Sequence, residues 1–123
     1  MQVKATTSKA IQILSHLHKR QDSVQSASMI AESVGITYPL FAKLAVRLRR
    51  AGLLTSVPGR SGGYMLGKPA DEISFYDVFS AVEGPPALTP IRDEGNCKVQ
   101  TFLRAMQDKV IAEMAGICIA DLV

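Results

Sequence analysis

Tryptophan is missing altogether, and all aromatics together make up only 6% of the 123 residues. Any core must therefore be filled by Leu, Ile, Val, Ala and Met, which favours packed helices over a sandwich or barrel. Cysteine is nearly absent: Cys97 and Cys118 are the only two, which excludes a disulfide framework. No apolar run approaches the roughly 18 residues of a membrane span. The N-terminal stretch carries Lys4 and Lys9 but neither the apolar segment nor the cleavage site of a secretory signal. A cytoplasmic protein with no membrane partner is the simple reading. The length suits one compact domain with its own core.

Acidic residues are also missing from one long stretch. Between Glu32 and Asp71 there is none, whereas Lys43, Arg47, Arg49, Arg50, Arg60 and Lys68 all fall there. The chain holds 14 Lys and Arg against 11 Asp and Glu, so outside this block acids outnumber bases. Such a block fits a face built for a polyanion. Charge alone leaves a solvated helix face equally open.

What is present reads as a succession of helices. Ala10, Ile11, Ile13, Leu14 and Leu17 recur at helical spacing between Thr7 and Arg20, with Thr7 or Ser8 as a cap. Ser26 or Ser28 opens a short helix to Val34, with Met29, Ile30, Ala31 and Val34 on its apolar side and Gly35 to end it. Thr37 can cap a longer helix to about Ala51, with Pro39 in its first turn. Leu40, Phe41, Leu44 and Leu48 form its inner stripe, which sends most of the basic residues outward and leaves Arg47 at the edge. Leu53 to Val57 and Tyr64 to Leu66 read as strands joined by a Gly-rich tip, and Ser74 to Glu83 as a helix. In the last segment Val99, Leu103, Met106, Val110, Met114 and Ile117 make a helical stripe, with Phe102 beside it. That stripe can pack on the first helix of the same chain or form a seam with a second copy.

Helix, tight turn at Gly35 and second helix make a helix-turn-helix, whose second helix enters the major groove of DNA. Thr37 and Tyr38 stand at its start as candidate base contacts, Pro39 beside them is counted with the DNA-binding residues, and Ala42 is placed to touch a thymine methyl. Lys43, Arg47, Arg49 and Arg50 read as phosphate anchors, and Ser28 can offer a hydroxyl or backbone N–H to a phosphate. The hairpin reads as a wing, with Arg60 and Gly62 at a tip that can enter the minor groove. The tip is not a phosphate-binding P-loop, because it lacks the Gly-Lys-Ser/Thr ending and joins strand to strand. No catalytic triad, carboxylate pair or metal-ligand spacing is visible, so an enzyme is not expected.

Ala51 to Pro69, AGLLTSVPGRSGGYMLGKP, resembles the wing signature of the Rrf-two (IscR/NsrR/CymR-like) family of bacterial winged-helix regulators. Glu72-Ile73, Asp77-Val78, Ala81 to Gly84 and, upstream, Ile30-Ala31 and Gly35-Ile36 extend the resemblance over nearly the whole chain. Pro58 departs from it, standing where an arginine is usual, as does Ser61 at the tip. The resemblance implies a homodimer, swapped around its long C-terminal helix, on a palindromic operator. Iron–sulfur members carry three cysteines in the loop before that helix. Here only Cys97, at the place of the last, remains. No cofactor and no metal site are therefore expected. Cys97, at a helix start beside Lys98, is a candidate redox-sensitive thiol.

The expectation is a mainly α fold with a small β-hairpin wing, a winged helix-turn-helix plus a long C-terminal dimerisation helix. Its parts are a DNA-binding domain over 1–84, a loop over 85–97 in the place of the family's sensor loop, and a dimerisation helix over 98–123. The function expected is a homodimeric transcriptional regulator of double-stranded DNA, a repressor without a cluster. Two alternatives stand beside it, an iron–sulfur or thiol-based redox sensor, and an interaction module that regulates an enzyme partner.

Overall fold

A computed structural model describes residues 3–87 and 98–122. Cys97 and most of the 85–97 loop lie outside the described residues. Within them the order is α1 (Ala5–Lys19), α2 (Ala27–Val34), α3 (Tyr38–Arg50), β1 (Leu54–Val57), β2 (Gly63–Leu66), α4 (Phe75–Glu83) and α5 (Lys98–Ala115). Short 3-10 turns lie at Ala70–Glu72 and Ile119–Leu122. The mainly helical fold with one antiparallel hairpin is the architecture the sequence leads one to expect. No single helix among the described residues is long and apolar enough to cross a membrane.

The helix starts follow from local chemistry. The Ser26 hydroxyl accepts from the Met29 amide at 3.2 Å, and Thr37 Oγ1 accepts from the Leu40 amide at 3.3 Å. Each satisfies one of the first backbone donors that a helix leaves without a partner. At α4, Ser74 and Asp77 bond each other's backbone amides, both at 3.0 Å, in a reciprocal capping box. Gly35 closes α2 at φ 76°, a left-handed conformation that glycine adopts at little cost. α1 differs from expectation. It starts at Ala5 without a side-chain cap, because the buried Thr7 hydroxyl instead donates to Glu83 Oε2 at the far end of α4.

Ile13, Leu14, Leu17, Ile30, Phe41, Leu44 and Leu48 are fully buried, so α1, α2 and α3 share one core. Burying each such side chain contributes about 1.5–3 kcal/mol. Ile73 and Val78 close the core from the α4 side. Met29 does not join it; it is 52% exposed. The inner arc of α2 is instead Ala27, Ile30, Ala31 and Val34, at i, i+3, i+4 and i+7.

The C-terminal segment packs back on its own chain, through α5 on α4 and through the turn after α5 on α1. Met114 is buried, whereas Val99, Phe102 and Met106 on α5 stay exposed. After α5 the chain turns back: the Phe75 amide donates to the Ile117 carbonyl and the Ile119 amide to the Ile73 carbonyl, both at 2.8 Å. Ile119 is thereby fully buried in the core of the N-terminal helices. The Asp121 carboxylate accepts from the Cys118 thiol at 3.1 Å and the Cys118 amide at 3.3 Å. These bonds hold Asp121 below the usual carboxylate range. Ile119→Ala should therefore lower unfolding free energy by about 3 kcal/mol in a denaturant titration; a change within error would show that the returning segment is not part of the core.

Candidate nucleic-acid interface

The chain changes direction by 107° between α2 and α3, within the range of a helix-turn-helix. Phe41, Leu44, Ala45 and Leu48 of α3 are buried, so the opposite face is presented to solvent. Tyr38 is 62% exposed there and Val46 38% exposed. Thr37, Pro39, Lys43, Arg49 and Arg50 are exposed as well, with Ala42 half-buried between them. The face predicted from periodicity is therefore the one presented. Arg49 and Arg50 occupy the last turn, where cations also complement the partial negative charge of the helix end.

Two of the predicted contact residues also serve the chain's own structure. The Arg47 guanidinium, expected as a phosphate anchor, donates to the Val82 carbonyl in the last turn of α4. That carbonyl is among the last four of its helix, which have no acceptor role within it, and arginine is well suited to cap them. Gly62, counted with the DNA-facing tip, serves the loop's own geometry. A Cβ there would meet the Val57 carbonyl oxygen at 2.1 Å, and its amide donates to the Gly59 carbonyl at 3.0 Å. Arg60 is fully available at the tip, exposed and free of any acidic neighbour in sequence.

The hairpin is fixed to α3 through Tyr64. β1 and β2 pair from Leu54↔Leu66 to Val57↔Gly63. On its other edge Tyr64 exchanges backbone bonds with Gln25, at 2.8 and 3.2 Å. Gln25, in the loop between α1 and α2, thus acts as a one-residue third strand. The Tyr64 ring meets Phe41 of α3 edge-on, with centroids 5.2 Å apart and planes at 78°. Gly63 makes the approach possible, because a Cβ there would lie 2.2 Å from the Gln25 carbonyl oxygen. The start of α2 and the wing loop consequently border one groove, lined by Ser26, Ala27, Val57, Pro58 and Gly59 among others. Ser28 is exposed in the first turn of α2.

Sequence reasoning missed the buried polar group behind this junction. His16 is buried, as is Gln25. His16 Nε2 lies 3.3 Å from Gln25 Oε1, and its Nδ1 lies 3.3 Å from Arg20 Nη1. Because arginine can only donate, Nδ1 is the acceptor and Nε2 carries the proton given to Gln25. Exposed Val46 and Met29 extend the apolar part of the presented surface; the 100° step per residue already sets both outside the buried arcs.

The sequence profile of Rrf2, described as "Iron-dependent Transcriptional regulator", matches residues 3–123. The chain is 33% identical over 113 residues to the HTH-type transcriptional regulator IscR of Serratia proteamaculans, covering 87% of this chain and 68% of that protein. IscR of Escherichia coli is also 33% identical, but the chain spans only 62% of its length. Among solved structures, CymR of B. subtilis, the global cysteine regulator, superposes with a TM-score of 0.80 at 27% identity, covering 99% of this chain and 95% of that one. CymR of Staphylococcus aureus does so with a TM-score of 0.75 at 30% identity, covering 97% and 95%.

An iron–sulfur cluster, which the iron dependence of the family profile raises, is held by several cysteine thiolates. This chain has two cysteines in all, and the Cys118 thiol is engaged by Asp121. Among the described residues no three His, Cys, Asp or Glu converge. The described residues do not fit a cluster. As for the junction itself, Gly63→Ala should cost about 2 kcal/mol of stability by forcing the wing off Gln25, read as a lowered melting temperature; Arg60→Ala should leave melting unchanged.

Proposed function

The chain belongs to the Rrf2 family of transcriptional regulators, and from that premise we propose that it is a homodimeric, cluster-free DNA-binding repressor acting in the cytoplasm, a regulator rather than an enzyme. The observation that carries this reading is the exposed face of α3, which joins Tyr38 to Lys43, Arg49 and Arg50 within an acid-free stretch and is locked to a wing bearing Arg60.

In this reading α3 lies in the major groove, with Thr37, Tyr38, Pro39 and Ala42 at the base edges. The Thr37 oxygen is already used as a cap acceptor, so its hydroxyl would serve bases as a donor. Lys43, Arg49 and Arg50 neutralise phosphates and release counterions. Ser28 and the amides at the start of α2 take a further phosphate, and Arg60 enters the minor groove. Arg47, exposed but giving one N–H to the Val82 carbonyl, keeps its remaining donors for a phosphate.

Val99, Phe102 and Met106 on α5 support a seam with a second copy, since their own chain leaves them exposed. Two reading heads across such a seam match the two halves of a palindrome. Bound over a promoter, the dimer would exclude polymerase. Cys97, next to Lys98 in the sequence, remains the candidate thiol through which oxidation would alter the seam.

Anisotropy titrations with duplex from upstream of the chain's own gene test this reading. Affinity should exceed that for random duplex by about a thousandfold and fall steeply with salt. Lys43→Ala should weaken both duplexes alike and reduce the salt slope by about 1; Arg60→Ala should weaken the specific duplex more. Equal binding to both duplexes would falsify the reading. Phe102→Glu should convert the sedimenting species to a monomer and weaken operator binding with it; a dimer that persists would remove α5 from the seam.

A further inference from the structure

Between the end of α1 and the root of the wing lies a cavity of about 320 Å³ that neither the DNA face nor α5 uses. Leu17, Met65, Leu66 and Pro69 supply its apolar walls, and Arg20 and Lys68 are its charged residues. No acidic residue lines it. We propose that this cavity is a binding site for a small amphiphilic carboxylate, with the carboxylate on Arg20 and Lys68 and a short hydrocarbon tail against Leu17, Met65, Leu66 and Pro69.

Its volume sits at the small end of ligand pockets, which combine apolar walls with a few oriented polar groups. Arg20 is oriented: one guanidinium nitrogen lies 3.3 Å from His16 Nδ1, and His16 is held in turn by Gln25. The other N–H groups of its planar fork suit a carboxylate, which accepts two parallel bonds. Lys68 adds a mobile point charge. A bare anion or a DNA phosphate would use the two cations but would leave the apolar walls wet. The walls therefore decide for a ligand with a tail, whose burial removes that surface from water.

The site lies where a ligand can be felt by the wing. Met65 and Leu66 belong to β2, and Arg20 connects through His16 to Gln25, the strand partner of Tyr64. A ligand that bridges α1 and β2 sets the wing root against the helices. This consequence rests on the DNA-binding reading; binding at the site does not.

The test is methyl NMR on the full chain labelled at methionine, titrated with straight-chain carboxylates from butanoate to decanoate. Hexanoate should shift the Met65 methyl saturably and bind about tenfold more tightly than acetate, hexanol or inorganic phosphate. Lys68→Glu and Arg20→Ala should each weaken it by about tenfold, and Arg20→Lys, which keeps the charge, by less. The proposal is overturned if no carboxylate of the series moves the Met65 methyl. It is equally overturned if phosphate competes on equal terms, which would reduce the site to a patch of cations. Saturating hexanoate should also change operator affinity by about threefold or more. Binding without that change would overturn the link to the wing, and a protein that binds hexanoate but no DNA would sink the function proposed above while supporting the site.

Discussion

Everything that the reading head presents depends on one junction, where Tyr64 of β2 is held by the Gln25 backbone on one side and by the Phe41 ring on the other. A two-stranded hairpin is marginal by itself in water. Here the third, one-residue strand and the edge-on aromatic contact fix its angle to α3. The wing and α3 are thereby packed as one unit, although nine residues of chain run between Arg50 and Arg60. Gly63 is the condition for it, since any side chain there would strike the Gln25 carbonyl.

The junction is backed by polar groups rather than by more hydrocarbon. His16 and Gln25 are buried in contact with each other, and Arg20 and Ser23 satisfy their outer atoms. A buried polar pair is costly unless it is paired in this way, and its reward is directional: hydrogen bonds set Gln25 in one orientation, and Gln25 sets the wing. The same economy appears at α4, whose Glu83 receives Thr7 and whose Val82 carbonyl receives Arg47. The start of α1 and the last turn of α3 are thus tied to one end of α4, and the start of α4 to the returning C-terminal segment.

The family's fold is kept here with a reduced set of cysteines. A reading head needs only its own core, caps and cations, none of which involve a thiolate. A cluster needs several cysteine ligands at once, and two in the whole chain do not provide them.

The sequence by itself determined the elements and the presented face. Caps such as Ser26, Thr37 and the Ser74–Asp77 box act over three residues, and the inner stripe of α3 follows from a 100° step, so both are written in local order. The wing was legible because its glycines and strands lie within one short stretch. The same arithmetic, applied to α2, places Met29 outside, where apolarity alone had put it inside. Only the tertiary structure decided which polar side chains would be paired within the chain: Arg47 with Val82, Thr7 with Glu83 and His16 with Gln25. It alone also decided that Ile119 would return to the first core. Each of these pairs groups distant in the chain or across an element boundary, and whether a cation faces solvent or an orphan carbonyl depends on which helix end arrives beside it, a fact of packing that no local pattern encodes.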